Sequence, residues 1–341
     1  MSKPIAERKD GRAELEHSLR LRAKQVDLAQ HIVDDKYDHD LVNDKLQYVV
    51  EYDSFDDFLA DVKLGQDENS ERFEEYDYSH GRSYDTRDGW YQSDVMDVKG
   101  RAHQLEIVRR GYTTESILDF YESQKSKLNA NPDDLEKLGS IGVDCRRKKR
   151  ADLGGYIVNI DKAMSGLDPM ESYKRNNQSQ CVRFFIDLAR LGDVPCESII
   201  EACTLAIACA SALEERGYAT EIKYGTTNLS YASGRIRRAL GVDKNDPRDE
   251  AFHRLSWIAK HPDEPLNVTK LLTFSSASIF RDLIFQFRES VLEQGIGASG
   301  YTVVDPEEQE EFFRQFTDCD IYVGNSDNLN TIITNISGVL S

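Results

Sequence analysis

The chain predicts an α/β fold, an open, doubly wound sheet preceded by a mostly helical, acidic N-terminal region, and three observations carry that expectation. CVRFFID, residues 181–187, is a near-continuous apolar run of strand length that stops on an aspartate, the pattern of a strand buried on both faces. PCESIIEACTLAIACASALEERG (195–217) follows as a long apolar helix and YATEIKYG (218–225) as a second strand, which is the β-α-β order of a helix-covered parallel sheet. The third observation is charge. Of a net charge of −18, residues 32–97 carry 20 Asp and Glu against 6 Lys and Arg, so one segment sets the acidity of the whole chain. At 341 residues there is room for about two domains. The expected division is 1–140, helical and acidic with a long loop at about 66–93; 141–154, a basic linker; and 155–341, the α/β domain.

Each element follows from local pattern. Residues 7–33 read as a helix of mixed charge. VVEYDSFDDFLADVKLG turns from an extended run into a helix: Ser54 stands three residues before Asp57 as an N-cap, Phe55, Phe58, Leu59 and Val62 recur at helical spacing, and Gly65 is the expected stop. Residues 66–93 have no period and are rich in Asp, Glu and Tyr, hence the loop. Two helices broken at Gly111 come next, the second capped by Thr114 three residues before Ile117. The basic run Arg146-Arg147-Lys148-Lys149-Arg150 lies between glycines and reads as an exposed connection. In the α/β part Gly217 stops the long helix, AFHRLSWIAK is a strand, helices follow through RDLIFQFRESVLEQG, and a last strand at about 320–324 precedes a terminal helix.

Composition narrows function. No run approaches the roughly 18 apolar residues of a membrane span, and the charged start is unlike a signal peptide, so a cytoplasmic protein is expected. Six cysteines without a C-x-x-C pair read as reduced thiols. A surface this acidic repels free nucleic acid. Neither G-x-G-x-x-G nor a Walker A lysine is present, which argues against the ordinary nucleotide-binding modes.

Sheets of this class bind ligands beyond the carboxyl ends of their strands. The loops expected there, 187–193, 225–230 and 324–328, supply the candidate binding residues Asp187, Asp193, Thr226, Thr227, Asn325 and Asp327. Trp90 and Tyr91, aromatics in the acidic segment, are candidate anchors for a partner. His253 on a strand and His103 on a helix read as polar filler or surface. Asp282 or Glu289 is expected to pair with Arg281 or Arg288 across an exposed helix face. No catalytic constellation emerges.

An apolar strand ending in Asp187, followed by a long helix whose end ALEERGYATEIKYG feeds a second strand, resembles a von Willebrand factor A-type domain, one of the Rossmann-like sheets. SFDDFL, GGYIVNID and PLNVTKLLTFSSASIFRDLIFQF extend the resemblance to phage and bacterial proteins with degenerate A-type domains, distantly similar to the cobaltochelatase large subunit. In the A-type family the first strand ends D-x-S-x-S, and a Thr and an Asp from later loops complete an oxygen site for Mg²⁺, a cation that takes near-octahedral oxygen ligands. Asp187 matches the first aspartate, but Ala189 and Leu191 stand where the two serines belong, so Asp187 is the only matched ligand and no metal or other cofactor is expected. The resemblance implies a non-enzymatic adaptor or substrate recruiter working with a MoxR-type AAA+ ATPase. The alternative from composition is an acidic interaction protein, an inhibitor or nucleic-acid mimic, that binds a basic partner.

Overall fold

The apolar run at 181–187 forms an inner strand of a six-stranded sheet that draws on both halves of the chain. The structure is a computed structural model describing residues 5–26, 45–68, 101–130 except 112, 148–151, 157–158, 170–174, 181–189, 197–243 except 232–233, 245–247, 249–276, 313–324 and 329–340, with single positions between 279 and 291. From the N-terminus, α1 (Ile5–Arg22) runs into β1 (Ala23–Gln25), and β2 (Leu46–Tyr52) leads into α2 (Phe55–Glu68). Next come α3 (Arg101–Arg110) and α4 (Glu115–Ala130), then the short strands β3 (Lys148–Ala151), β4 (Ile157–Val158) and β5 (Met170–Lys174). The chain continues through β6 (Cys181–Asp187), α5 (Glu197–Glu215), β7 (Ala219–Tyr231), α6 (Gly234–Leu240) and β8 (Glu250–Lys260). It ends with α7 (Val268–Leu272), a 3₁₀ turn (Thr273–Ser275), β9 (Ile321–Val323) and α8 (Leu329–Leu340).

The large sheet has the order β1-β2-β8-β7-β6-β9, and β3-β5-β4 make a separate antiparallel sheet. Three of the five neighbour pairs in the large sheet are parallel: β2 with β8, β7 with β6, and β6 with β9. Alternation sorts the side chains into two faces. Tyr48, Phe184, Ile186, Tyr224, Leu255 and Trp257 join the larger core, whereas Val49, Phe185, Phe252 and Tyr322 pack in a smaller one with Phe313 and Phe316.

Helix α5 is buried almost all round, because the sheet lies on one side of it and Ile117, Tyr121 and Leu128 of α4 lie in the same core. Such a helix must be apolar on every face, and its run of alanines keeps it slim enough for the two-sided packing. It ends where Gly217 takes φ 96°, with Tyr218 N–H donating to Leu213 C=O at 3.1 Å and Gly217 N–H to Glu214 C=O at 3.0 Å, a Schellman stop. The caps at Ser54 and Thr114 form as expected, accepting from the backbone N–H of Asp57 and of Ile117. Phe58 of α2 stacks on Trp257 of β8 at 4.1 Å, so the N-terminal helix is built into the main core.

Several expectations are corrected. The sheet draws strands from both sides of residue 140, since β2 pairs with β8 from Leu46↔Ala251 to Tyr52↔Trp257. β7 and β8 are antiparallel where a parallel neighbour was expected: Tyr231 pairs with Glu250, so β8 starts beside the end of β7 and the chain never crosses back over the sheet. Part of the basic linker is strand β3, α2 runs through Gly65 to Glu68, and Thr226 and Thr227 lie inside β7. The loop expected at 66–93 lies, beyond Glu68, outside the described residues.

Candidate functional site at the carboxyl end of β6

β6 is where the strand order reverses, with β7 parallel on one side and β9 parallel on the other. Ligand crevices in α/β sheets open at such a switch point. Asp187 is the last residue of β6 and is 2% exposed. It pairs with Gly225, so alternation places Phe185, Asp187, Gly225, Thr227 and Tyr322 on the same face, the one with the smaller core.

Both oxygens of the Asp187 carboxylate are engaged by the chain itself. Oδ1 accepts from Ala189 N–H at 2.8 Å and from Thr227 N–H at 3.3 Å. Oδ2 accepts from the hydroxyls of Thr227 and Tyr322, the latter at 2.8 Å. The bond from Ala189 closes an Asx turn, which bends the chain out of the sheet. Tyr322 is held for its part by two ring stacks, with Phe185 at 6.1 Å and Phe313 at 5.2 Å. Gly225 is required by close approach: a Cβ there would lie 2.6 Å from Leu255 C=O and 2.7 Å from Phe185 Cζ.

Behind this tip on the same face lies an ion cluster. Glu51 of β2 accepts from Lys223 of β7 at 2.7 Å and from Arg254 of β8 at 2.6 Å, and Arg254 also donates to Phe316 C=O at 2.6 Å. Burial pushes the Glu51 carboxyl up, but the charge of Arg254 and the hydrogen bond and charge of Lys223 outweigh it and leave the group below its ordinary value.

The structure therefore brings together Asp187 and Thr227 and separates Thr226, which points to the opposite face with Tyr224 and Asn228. Asp193, Asn325, Asp327, Trp90 and Tyr91 lie outside the described residues. The donor set fits Mg²⁺ poorly. Ala189 offers no side-chain oxygen, and a cation at Asp187 would have to displace donors from Thr227 and Tyr322. Among the described residues no three His, Cys, Asp or Glu side chains cluster as metal ligands.

Tyr322 is the contributor that sequence reading missed, since a tyrosine in IYV looks like strand core. Arg288 was expected on an exposed face but is buried, its Nη1 donating to Asn228 Oδ1 at 3.2 Å. His253, read as filler, is buried beside it, and burial together with the Arg288 charge brings its imidazole down to about 3.

Fold and tip define a mixed α/β protein with a mostly parallel six-stranded sheet flanked by helices, and no helix among the described residues is long and apolar enough to cross a membrane. The chain belongs to the family described as a domain of unknown function, DUF7192, whose model matches residues 37–331. Comparison with curated proteins and with solved structures finds no match.

Proposed function

We propose that the chain is a non-enzymatic adaptor whose sheet, a degenerate von Willebrand A-type domain, presents the carboxyl end of β6 to a protein partner and works with a MoxR-type AAA+ ATPase. The observation that carries this reading is the Asp187 carboxylate, tied at both oxygens to Ala189, Thr227 and Tyr322. A carboxylate held this way stiffens the tip, and a preformed tip suits recognition by surface complementarity, which needs no metal bridge. The parallel strands on both flanks of β6 and the covering helix α5 support the A-type resemblance.

The test is a pull-down of the tagged full chain from its native host, with ATP and again with a non-hydrolysable analogue. Recovery of an AAA+ ATPase that depends on which nucleotide is present supports the adaptor. Recovery of a basic nucleic-acid-binding protein, lost at high salt, refutes it and moves the active surface to the acidic segment 32–97.

A further inference from the structure

On the sheet face opposite Asp187, three polar side chains occupy one cross-strand row. Tyr48 pairs with His253 across β2 and β8, and His253 with Asn228 across β8 and β7. The rings of Tyr48 and His253 stack at 5.7 Å with an 18° tilt. Thr226 stands two residues before Asn228 on the same face, and Arg288 reaches the row from the 279–291 segment through its bond to Asn228. Their exposures are 1% for Tyr48, His253 and Asn228, 2% for Arg288 and 0% for Thr226, so the whole group is inside the protein.

Among the described residues, Tyr48 Oη, Thr226 Oγ1 and Asn228 Nδ2 of this group have no hydrogen-bond partner. Buried polar atoms are seldom left so, because each has given up water and received nothing in exchange. With Asn228 Oδ1 taken by Arg288, the amide nitrogen can only donate, and the two hydroxyls can donate as well. The guanidinium lies near enough for its charge to act on both Tyr48 and His253. His253 is neutral near pH 7, so it adds no second charge.

We propose that this row is a binding site for the carboxylate group of a small organic acid, with Arg288 supplying the charge and Tyr48, Thr226 and Asn228 supplying hydrogen-bond donors. One cation and a few neutral donors match a carboxylate, which has one negative charge and two acceptor oxygens. Phosphate matches less well, since it brings nearly two negative charges and three strong acceptor oxygens. The site is independent of the adaptor reading: it lies on the other sheet face, three residues along β7 from the partner of Asp187.

The experiment is thermal unfolding of the full chain at pH 7 and constant ionic strength, titrated with formate, acetate, phosphate or chloride, allowing time for a buried site to equilibrate. The melting temperature should rise with the logarithm of formate or acetate concentration, as it does for a ligand bound only by the folded state, and should not respond to chloride or phosphate. Tyr48→Phe keeps the ring stack and Thr226→Val keeps the shape; each should need about tenfold more acetate for the same rise, the loss of one charge-assisted hydrogen bond. Ser256→Ala removes another unpartnered hydroxyl, on the Asp187 face, and should leave the response unchanged. The proposal is overturned if wild type shows no carboxylate-dependent rise, if phosphate or chloride gives an equal one, or if Tyr48→Phe and Thr226→Val respond like wild type.

Discussion

Lowering the pH from 7 to 4.5 should destabilise the protein through His253 alone by about 2–3 kcal/mol. The folded imidazole sits at about 3 against an ordinary value of 6.5, chiefly because it is buried and secondly because of Arg288. Folded affinity for the proton is thus the lower one, and the unfolded chain takes up a proton first as pH falls. The stability is therefore fully present above about 6.5, is lost through the window down to about 3, and is flat below it. At about 1.4 kcal/mol per pH unit the whole gap corresponds to about 5 kcal/mol, of which roughly half falls between pH 7 and 4.5. The assay is urea unfolding of wild type and His253→Phe at both pH values, in a buffer free of carboxylates. Phenylalanine preserves the stack on Tyr48 and cannot titrate. Acid groups elsewhere weaken both chains alike, so the quantity read is the difference in pH dependence: wild type should lose about 2–3 kcal/mol more than the variant. Equal losses in the two chains would refute the claim that a neutral imidazole is trapped against Arg288.

Other perturbations address the tip and the face behind it. Gly225→Ala places a methyl against Leu255 C=O and Phe185 in a strand pinned on both sides, and should cost about 1–3 kcal/mol in urea unfolding; an unchanged midpoint would show that β7 can shift. Thr227→Val keeps the shape but removes a donor from the buried Asp187 carboxylate, for an expected loss of about 1–3 kcal/mol, and a neutral result would mean that water replaces the hydroxyl. Glu51→Gln removes the carboxylate shared by Arg254 and Lys223 and should cost about 3–5 kcal/mol at pH 7. Since the Glu51 carboxyl is held low, its contribution is present above about 4.5 and is lost as pH falls through the folded value, so wild type and variant should converge in acid; a gap that persists there would assign the loss to packing.

Much of the fold could be read from local pattern. The strand at Cys181–Asp187, the helix ended by Gly217, the caps at Ser54 and Thr114 and the strand through AFHRLSWIAK are each written in a few adjacent residues, since caps, stops and periodicity act within a turn or two. Asp187 was singled out for the same reason, as a charge that ends an apolar run. What the tertiary structure alone decided is partnership. TTNLSY looks like a polar loop, yet it extends β7 because β8 lies alongside to take its hydrogen bonds. β2 lies far from β8 in sequence and joins it in register; nothing local in LQYVVEY names its neighbour. Arg288 reads as a surface charge until the fold lays it over Asn228, and Tyr322 as plain core until it meets Asp187. The sequence by itself determined where strands and helices begin and end, because those signals are short-range. Which polar groups meet inside was left to the packing of distant segments, because a buried hydrogen bond or ion pair exists only when both partners arrive together.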